Sequence, residues 1–274
     1  MRITFWSPER RIGTTAAMLA VSAATALQMK RSCLLTQAFS HDGDFESMLA
    51  NELSDEERDS VKREMGTDAL IRQFKAGKLS GEDVLNCSVE FFGNLSYLSA
   101  SKITMGMIGA DARKNIIRKI LSTAEEKFDV VITDAGAGRR KEDMDVVAGS
   151  NLVVAVCGQG RKSIMNALEA GRNLGIEENR MFLVIAKYLT ESRYNIRNLR
   201  YFCRNVGNDS IGNIPFSYQY MDVIEDQRPA AFLKCFEREA DISADPLFYT
   251  ETVKCAGKIL EKAAKNEKNR KLGG

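Results

Sequence analysis

The sequence predicts an α/β protein built on a doubly wound, mostly parallel sheet. Three observations carry that expectation. A short strand, a loop and a buried helix stand at the N-terminus, the order in which an α/β nucleotide site begins. The run Phe128-Asp129-Val130-Val131-Ile132-Thr133-Asp134 is rich in β-branched residues and reads as a parallel strand buried on both faces. Strands and helices then alternate through most of the chain, which favours parallel pairing with helices on both faces of the sheet.

Taken in order, Arg2-Ile3-Thr4-Phe5-Trp6 forms the first strand and Ser7 to Thr15 the loop. Ala16 to Leu27 is Ala-rich, with small polar breaks at Ser22 and Thr25, and reads as a buried helix. Cys33-Leu34-Leu35-Thr36 forms the second strand. Asp42 and Asp44, in a turn with Gly43, are placed to cap a helix. From Phe45 to about Asn86 the chain is charged and helical, broken at Gly66, Gly77 and Gly81. Capping patterns occur at Ser54-Asp55-Glu56-Glu57 and Ser80-Gly81-Glu82-Asp83. This stretch reads as a helical insert, either a partner surface or a solvated covering of the sheet edge. Asn94 to Ser99 is a strand, followed by a loop with Met105 and Met107. Asp111 then opens a helix to about Lys127, whose apolar stripe of Ile116, Ile117, Ile120, Leu121 and Ala124 belongs to the core.

Beyond the strand ending at Asp134, helices are expected over Asp143–Ala148 and Ser163–Leu174, with strands at Leu152–Val156 and Met181–Ala186. Ser192 to Asn205 reads as one helix. Arg193, Arg197, Arg200 and Arg204 share a face of it, beside Ile196, Leu199 and Cys203. Such a face either binds the phosphates of DNA or an acidic partner, or is simply solvated. Ile211 to Phe216 is the last strand, Tyr220 to Gln227 a helix, and Leu247 to about Lys265 the C-terminal helix. Residues 1–265 make one domain with its insert at about 45–86, and 266–274 a basic, frayed tail.

Composition adds limits. A chain of 274 residues with a net charge of +2 can bury a full α/β core and carries no strong electrostatic signature. The helix after Thr15 contains Thr, Ser and Gln and follows a strand-loop signal, so it reads as core rather than as a membrane span or a signal peptide. The six cysteines contain no CxxC pair, and with the single histidine, His41, in a polar loop beside Asp42, they argue against a zinc site and for scattered reduced thiols in the cytoplasm.

Ser7-Pro8-Glu9-Arg10-Arg11-Ile12-Gly13-Thr14-Thr15 resembles the deviant Walker A loop of the ParA/MinD group of P-loop ATPases, which reads S-P-K-G-G-V-G-K-T-T after the first strand. Aligned without gaps from Ser7, the family's first lysine falls on Glu9, its paired glycines on Arg10 and Arg11, its valine on Ile12, its third glycine on Gly13, and the Walker lysine on Thr14. The threonines fall on Thr15 and Ala16. Two further motifs agree in order. Asp134-Ala135-Gly136 resembles the D-x-P-G motif without its proline, and Gly212-Asn213-Ile214-Pro215 resembles G-x-I-P. Other family features are missing. Leu35-Thr36-Gln37-Ala38-Phe39 stands where the second strand carries D-x-D, and Ala186-Lys187 stands where an asparagine reads adenine.

The resemblance implies a P-loop NTPase-type sheet and a nucleotide face, with ATP and Mg²⁺ as the ligands. Arg10, Arg11, Ile12, Gly13, Thr14, Thr15, Asp134, Gly136 and Pro215 would be the remnants of the nucleotide site, and Thr15 and Asp134 the Mg²⁺ ligands. The alternative for Asp134 is a turn or helix cap. The replaced residues argue against catalysis. Glycine suits the positive φ and close approach of a phosphate cradle, whereas Arg10 and Arg11 carry long side chains. Thr14 cannot neutralise β/γ-phosphate charge, and Glu9 repels it. A helix N-terminus remains, and Arg10, Arg11 and the nearby Arg139-Arg140-Lys141 could grip phosphate. The expectation is a pseudo-ATPase similar to TadZ/CpaE-type pilus-assembly proteins. It would be a cytoplasmic homodimer recruited by protein partners to the membrane face or the cell pole. Its subunits would join across the nucleotide face, with Glu9 paired to Arg10 or Arg11 of the facing subunit. The alternative is a weak ATPase that binds DNA through the arginine face.

Overall fold

A computed structural model describes residues 1–37, 51–52, 65–100, 110–138, 141–201, 203, 207–237 and 245–272. Its strands are β1 (Arg2–Ser7), β2 (Cys33–Gln37), β3 (Val89–Phe92), β4 (Leu95–Leu98), β5 (Val130–Ala137), β6 (Leu152–Cys157), β7 (Met181–Tyr188) and β8 (Ile211–Pro215). They form one sheet in the order β3-β4-β2-β5-β1-β6-β7-β8. All neighbouring pairs are parallel except β3 with β4. The expected doubly wound, mostly parallel sheet is therefore present. β1, β5 and β6 sit at its centre, and their apolar residues are buried on both sides.

The helices are α1 (Thr14–Leu27), α2 (Gly66–Lys75), α3 (Gly81–Asn86), α4 (Ala110–Ala124), α5 (Lys141–Gly149), α6 (Arg161–Asn173), α7 (Ile196–Leu199), α8 (Tyr218–Glu225), α9 (Ala230–Leu233) and α10 (Pro246–Leu272). Alternation along β1 shows how they divide. Ile3 and Phe5 join one apolar cluster with α1 and α10, whereas Trp6 joins another with α6 and α7 on the opposite face. Leu34 and Val131 face a third cluster with α2, α3, α4 and α5. The described part of the insert is thus packed on the domain, through Leu70, Ile71 and Val84. The Ser80 capping box is formed: Asp83 N–H donates to Ser80 Oγ, and Ser80 N–H donates to the Asp83 carboxylate at 2.8 Å.

Two expectations need correction, and one strand adds to those expected. Val89–Phe92 is a strand, the outer member of a hairpin with β4. The arginine segment is not one long helix: α7 spans only Ile196–Leu199 and passes into a tighter turn at Arg200 and Tyr201. Arg193 precedes α7, so Arg193, Arg197 and Arg200 share no continuous helix face. The C-terminal tail is helical to Leu272 rather than frayed. Polar contacts hold it: Asn266 donates to the Asn151 and Asn179 carbonyls, Arg270 donates to the Gly149 carbonyl, and Lys271 pairs with Glu267 one turn back. The expected features at His41, Asp42, Asp44, 54–57, Met105, Met107, Arg139, Arg140 and Arg204 lie outside the described residues. No described helix is long and apolar enough to cross a membrane.

Candidate functional site

The chain leaving β1 turns into α1 on one sheet face, and the chain leaving β6 turns into α6 on the other. A crevice therefore opens between the carboxyl ends of β1 and β6, where ligands bind in open α/β sheets. The loop 8–13 sits over this crevice. Its backbone takes the form expected of a phosphate loop even though the side chains differ. Arg11 has φ +59°, and Gly13, the residue before α1, has φ +92°. α1 has no side-chain cap, and its first bond runs from Ala17 N–H to the Gly13 carbonyl. The N–H groups of the first turn thus lack helical partners, and the helix dipole adds to their pull on an anion.

Thr15 and Asp134 are brought together. The Thr15 hydroxyl donates to Asp134 Oδ2 at 2.7 Å, and Gly136 N–H donates to Asp134 Oδ1 at 2.7 Å. Asp134 is buried within β5, three residues before its end, and the chain beyond it is tied back to β1. Gly138 N–H donates to the Ser7 carbonyl, and the buried Trp6 indole donates to the Gly138 carbonyl at 2.7 Å. A hydroxyl beside a carboxylate is a donor set suited to Mg²⁺. Gln37 pairs in register with Asp134 on the adjacent β2 and supplies no second carboxylate.

Glu9 crosses the crevice. Ser163 Oγ donates to Glu9 Oε2 at 3.0 Å, and Asn166 Nδ2 donates to Oε1 at 2.9 Å. Gly158 N–H in turn donates to Ser163 Oγ. Gly158 also makes room for the loop, since a Cβ there would meet Ile12 Cδ1 at 3.1 Å. Both carboxylate oxygens of Glu9 thus have donors within the chain. Arg10 and Arg11 themselves are exposed. Thr14, at the Walker-lysine position, is nearly buried and carries no charge.

Gly13, Ala186, Lys187, Pro215 and Tyr220 line a cavity of about 20 Å³ beside the loop, room for one water. Tyr220 donates to the Ala16 carbonyl at 2.6 Å, and burial pushes its phenol above the ordinary range. Lys187, with φ +53°, carries its chain over the loop, and its Cε lies 3.5 Å from the point where a Gly13 Cβ would stand. Thr15 and Asp134 therefore meet, while no cation stands at the Thr14 position and the space beside Ala186 and Lys187 is small. Ser163 and Asn166 were not anticipated as site residues from the sequence. Both lie more than 150 residues from Glu9 and show no local signal.

Four buried thiols are held in the protonated form. Burial raises the Cys203 thiol to about 11 and the Cys255 thiol to about 12, and raises Cys33 and Cys157 further, so these remain protonated at neutral pH. No group of three or more metal-ligating side chains occurs among the described residues.

No protein-family model and no curated protein matches the sequence. Solved structures do match. A ParA family ATPase from Chlorobium tepidum TLS aligns with a TM-score of 0.66 and 13% identity, covering 93% of this chain and 98% of the other. A plasmid partition protein from Borrelia burgdorferi B31 bound to AMPPNP gives 0.66 and 13%, with 95% and 98% covered. The septum site-determining protein MinD from Pyrococcus horikoshii OT3, complexed with Mg-ADP, gives 0.63 and 14%, with 97% and 99% covered. At these identities it is the architecture that is shared, and this chain has the fold of the ParA and MinD ATPases.

Proposed function

We propose that this chain is a positioning or assembly scaffold that has kept the ParA/MinD fold and lost most of its ATPase chemistry. The observation that carries the reading is Glu9, which stands at the position of the family's first lysine and is bonded to Ser163 and Asn166 of the same chain. A loop cation has become a structural anchor. Thr14 in place of the Walker lysine and the 20 Å³ cavity beside the loop point the same way. Within this reading the chain acts as a homodimer that recruits protein partners, in the manner of TadZ/CpaE-type pilus or secretion assembly proteins. Calorimetric titration with ATP and Mg²⁺ tests it. The expected result is no heat of binding at millimolar nucleotide, and micromolar binding abolished by Asp134→Ala would overturn it.

A second reading is supported by the intact Thr15–Asp134 pair. Here the chain is a weak ATP-binding protein of the partitioning type, with Mg²⁺ held by Thr15 and Asp134, phosphate gripped by Arg10 or Arg11, and DNA bound through Arg193, Arg197, Arg200 and Arg204. DNA affinity unchanged by Arg197→Ala with Arg200→Ala removes that DNA role.

A further inference from the structure

A groove of about 620 Å³ lies away from the crevice, along β8, the terminal strand of the sheet. Its lining includes three consecutive residues, Ile211, Gly212 and Asn213. Successive strand residues point to opposite faces, so a groove touching all three follows the strand's outer edge. Its two walls come from opposite faces of the sheet. α7 and Arg200 form one, and α10 forms the other. α10 can approach closely because Gly212 has no Cβ where Cys255 sits. Ile196 and the half-exposed Leu247 give the walls apolar surface.

The charges are uneven. Arg197, Arg200, Lys254 and Lys258 line the groove against Glu251 and Glu261. Glu251 is already engaged, accepting from Lys254 at 2.8 Å and from Asn213 Nδ2 at 3.2 Å. Asn213 Oδ1 and Arg200 Nε, both closed off from water, have no hydrogen-bond partner among the described residues.

We propose that this groove binds an extended, acidic segment of a protein partner, which adds a strand to β8. A peptide main chain supplies N–H and C=O groups for the strand edge. Alternating apolar residues meet Ile196 and Leu247, and carboxylates meet the cations on both walls. A nucleic-acid backbone would use the cations but neither the strand edge nor the apolar walls. The inference does not depend on the nucleotide crevice, and its test reads neither nucleotide binding nor turnover.

The test uses the full chain and fluorescein-labelled decapeptides alternating Glu with Val, Ile, Leu or Phe. Matched Lys-containing decapeptides and a 20-base-pair duplex DNA serve as comparators. At least one Glu peptide is expected to bind, with slower amide exchange over 211–214. Arg197→Glu combined with Lys258→Glu, both away from the core, should weaken it by roughly tenfold or more. The Lys peptides should not bind. Absence of binding by every Glu peptide overturns the proposal. So does binding that leaves exchange over 211–214 unchanged, or DNA binding that the double variant abolishes while no Glu peptide competes.

Discussion

The Thr15 hydroxyl, in the first turn of α1, meets the Asp134 carboxylate of β5 at 2.7 Å. Gly136 N–H takes the other carboxylate oxygen. Asp134 is 1% exposed, and its removal leaves a half-buried hydroxyl and a half-buried backbone donor without their acceptor. Asp134→Ala is expected to cost about 2 kcal/mol and Asp134→Asn, which keeps an acceptor, about half as much. Urea unfolding of the two variants checks the ranking, and equal losses would show that the bonds to Asp134 matter less than its volume.

Glu9→Lys restores the lysine of the resembling loops and breaks two bonds. Ser163 can turn its hydroxyl to accept from a lysine, but Asn166 Nδ2 can only donate and is left facing a cation. A loss of about 1–2 kcal/mol follows. Faster amide exchange should be confined to the loop 8–13 and the start of α6. Unchanged exchange there would mean that Glu9 does not anchor the loop.

Gly13 separates backbone strain from crowding. A Cβ at Gly13 would meet Lys187 Cε at 3.5 Å, an ordinary contact, yet φ is +92°. Gly13→Ala is therefore expected to cost about 1 kcal/mol through the backbone alone. Arg11→Gly, at φ +59°, relieves a similar strain but frees the unfolded chain, so its net effect is within about 0.5 kcal/mol of zero. Chemical denaturation of both variants tests the contrast.

The sheet was legible because its central strands are apolar on both faces. The run ending at Asp134 can be read as nothing but a buried strand followed by a turn. β3 was missed because Val89-Glu90-Phe91-Phe92 is short and lies at the margin of a charged segment. Its signal was the Gly93-Asn94 pair, a two-residue hairpin turn with Gly93 at φ +53°. The arginine spacing misled because steps of three and four do not distinguish an α-helix from a tighter turn over so short a stretch. Tertiary bonds decide its shape. Gln159 Nε2 donates to the Leu189 and Tyr194 carbonyls, and the Tyr188 hydroxyl accepts from Ile196 N–H. In the crevice the P-loop frame was legible from the order of residues, and Thr15 with Asp134 met as that frame implies. The anchoring of Glu9 was not, because its partners are remote in sequence and polar in a way any surface helix can be.

Gly212 is required by packing. A Cβ there would lie 2.5 Å from Cys255 Sγ and 3.2 Å from Phe182 Cε1. Gly212→Ala should cost about 1–3 kcal/mol by forcing α10 off β8. Adding Cys255→Ala removes the worse clash and should recover part of that loss. A double-mutant cycle without coupling would place the cost elsewhere.

Lys262 gives the last prediction. Its ammonium donates to Ser210 Oγ, and burial lowers its pKa from 10.5 to about 8, with the charge of Asp209 opposing the shift. Below pH 8 both folded and unfolded chains hold the proton, and the folded state bears the cost of a half-buried cation. Between about pH 8 and 10.5 the folded chain releases the proton first, so the unfolded state binds more protons and stability from this group rises with pH. The buried thiols oppose it. Their raised pKa values make the unfolded chain ionise first above about pH 9, which lowers stability. The two effects separate in the Lys262→Met variant, which keeps the thiols. At pH 7 the variant should be the more stable by about 1 kcal/mol, a figure reduced for the side chain's partial exposure. That advantage should shrink as pH rises from 8 to 10.5. A stability difference that stays constant over this range would show that Lys262 is not held below its ordinary pKa.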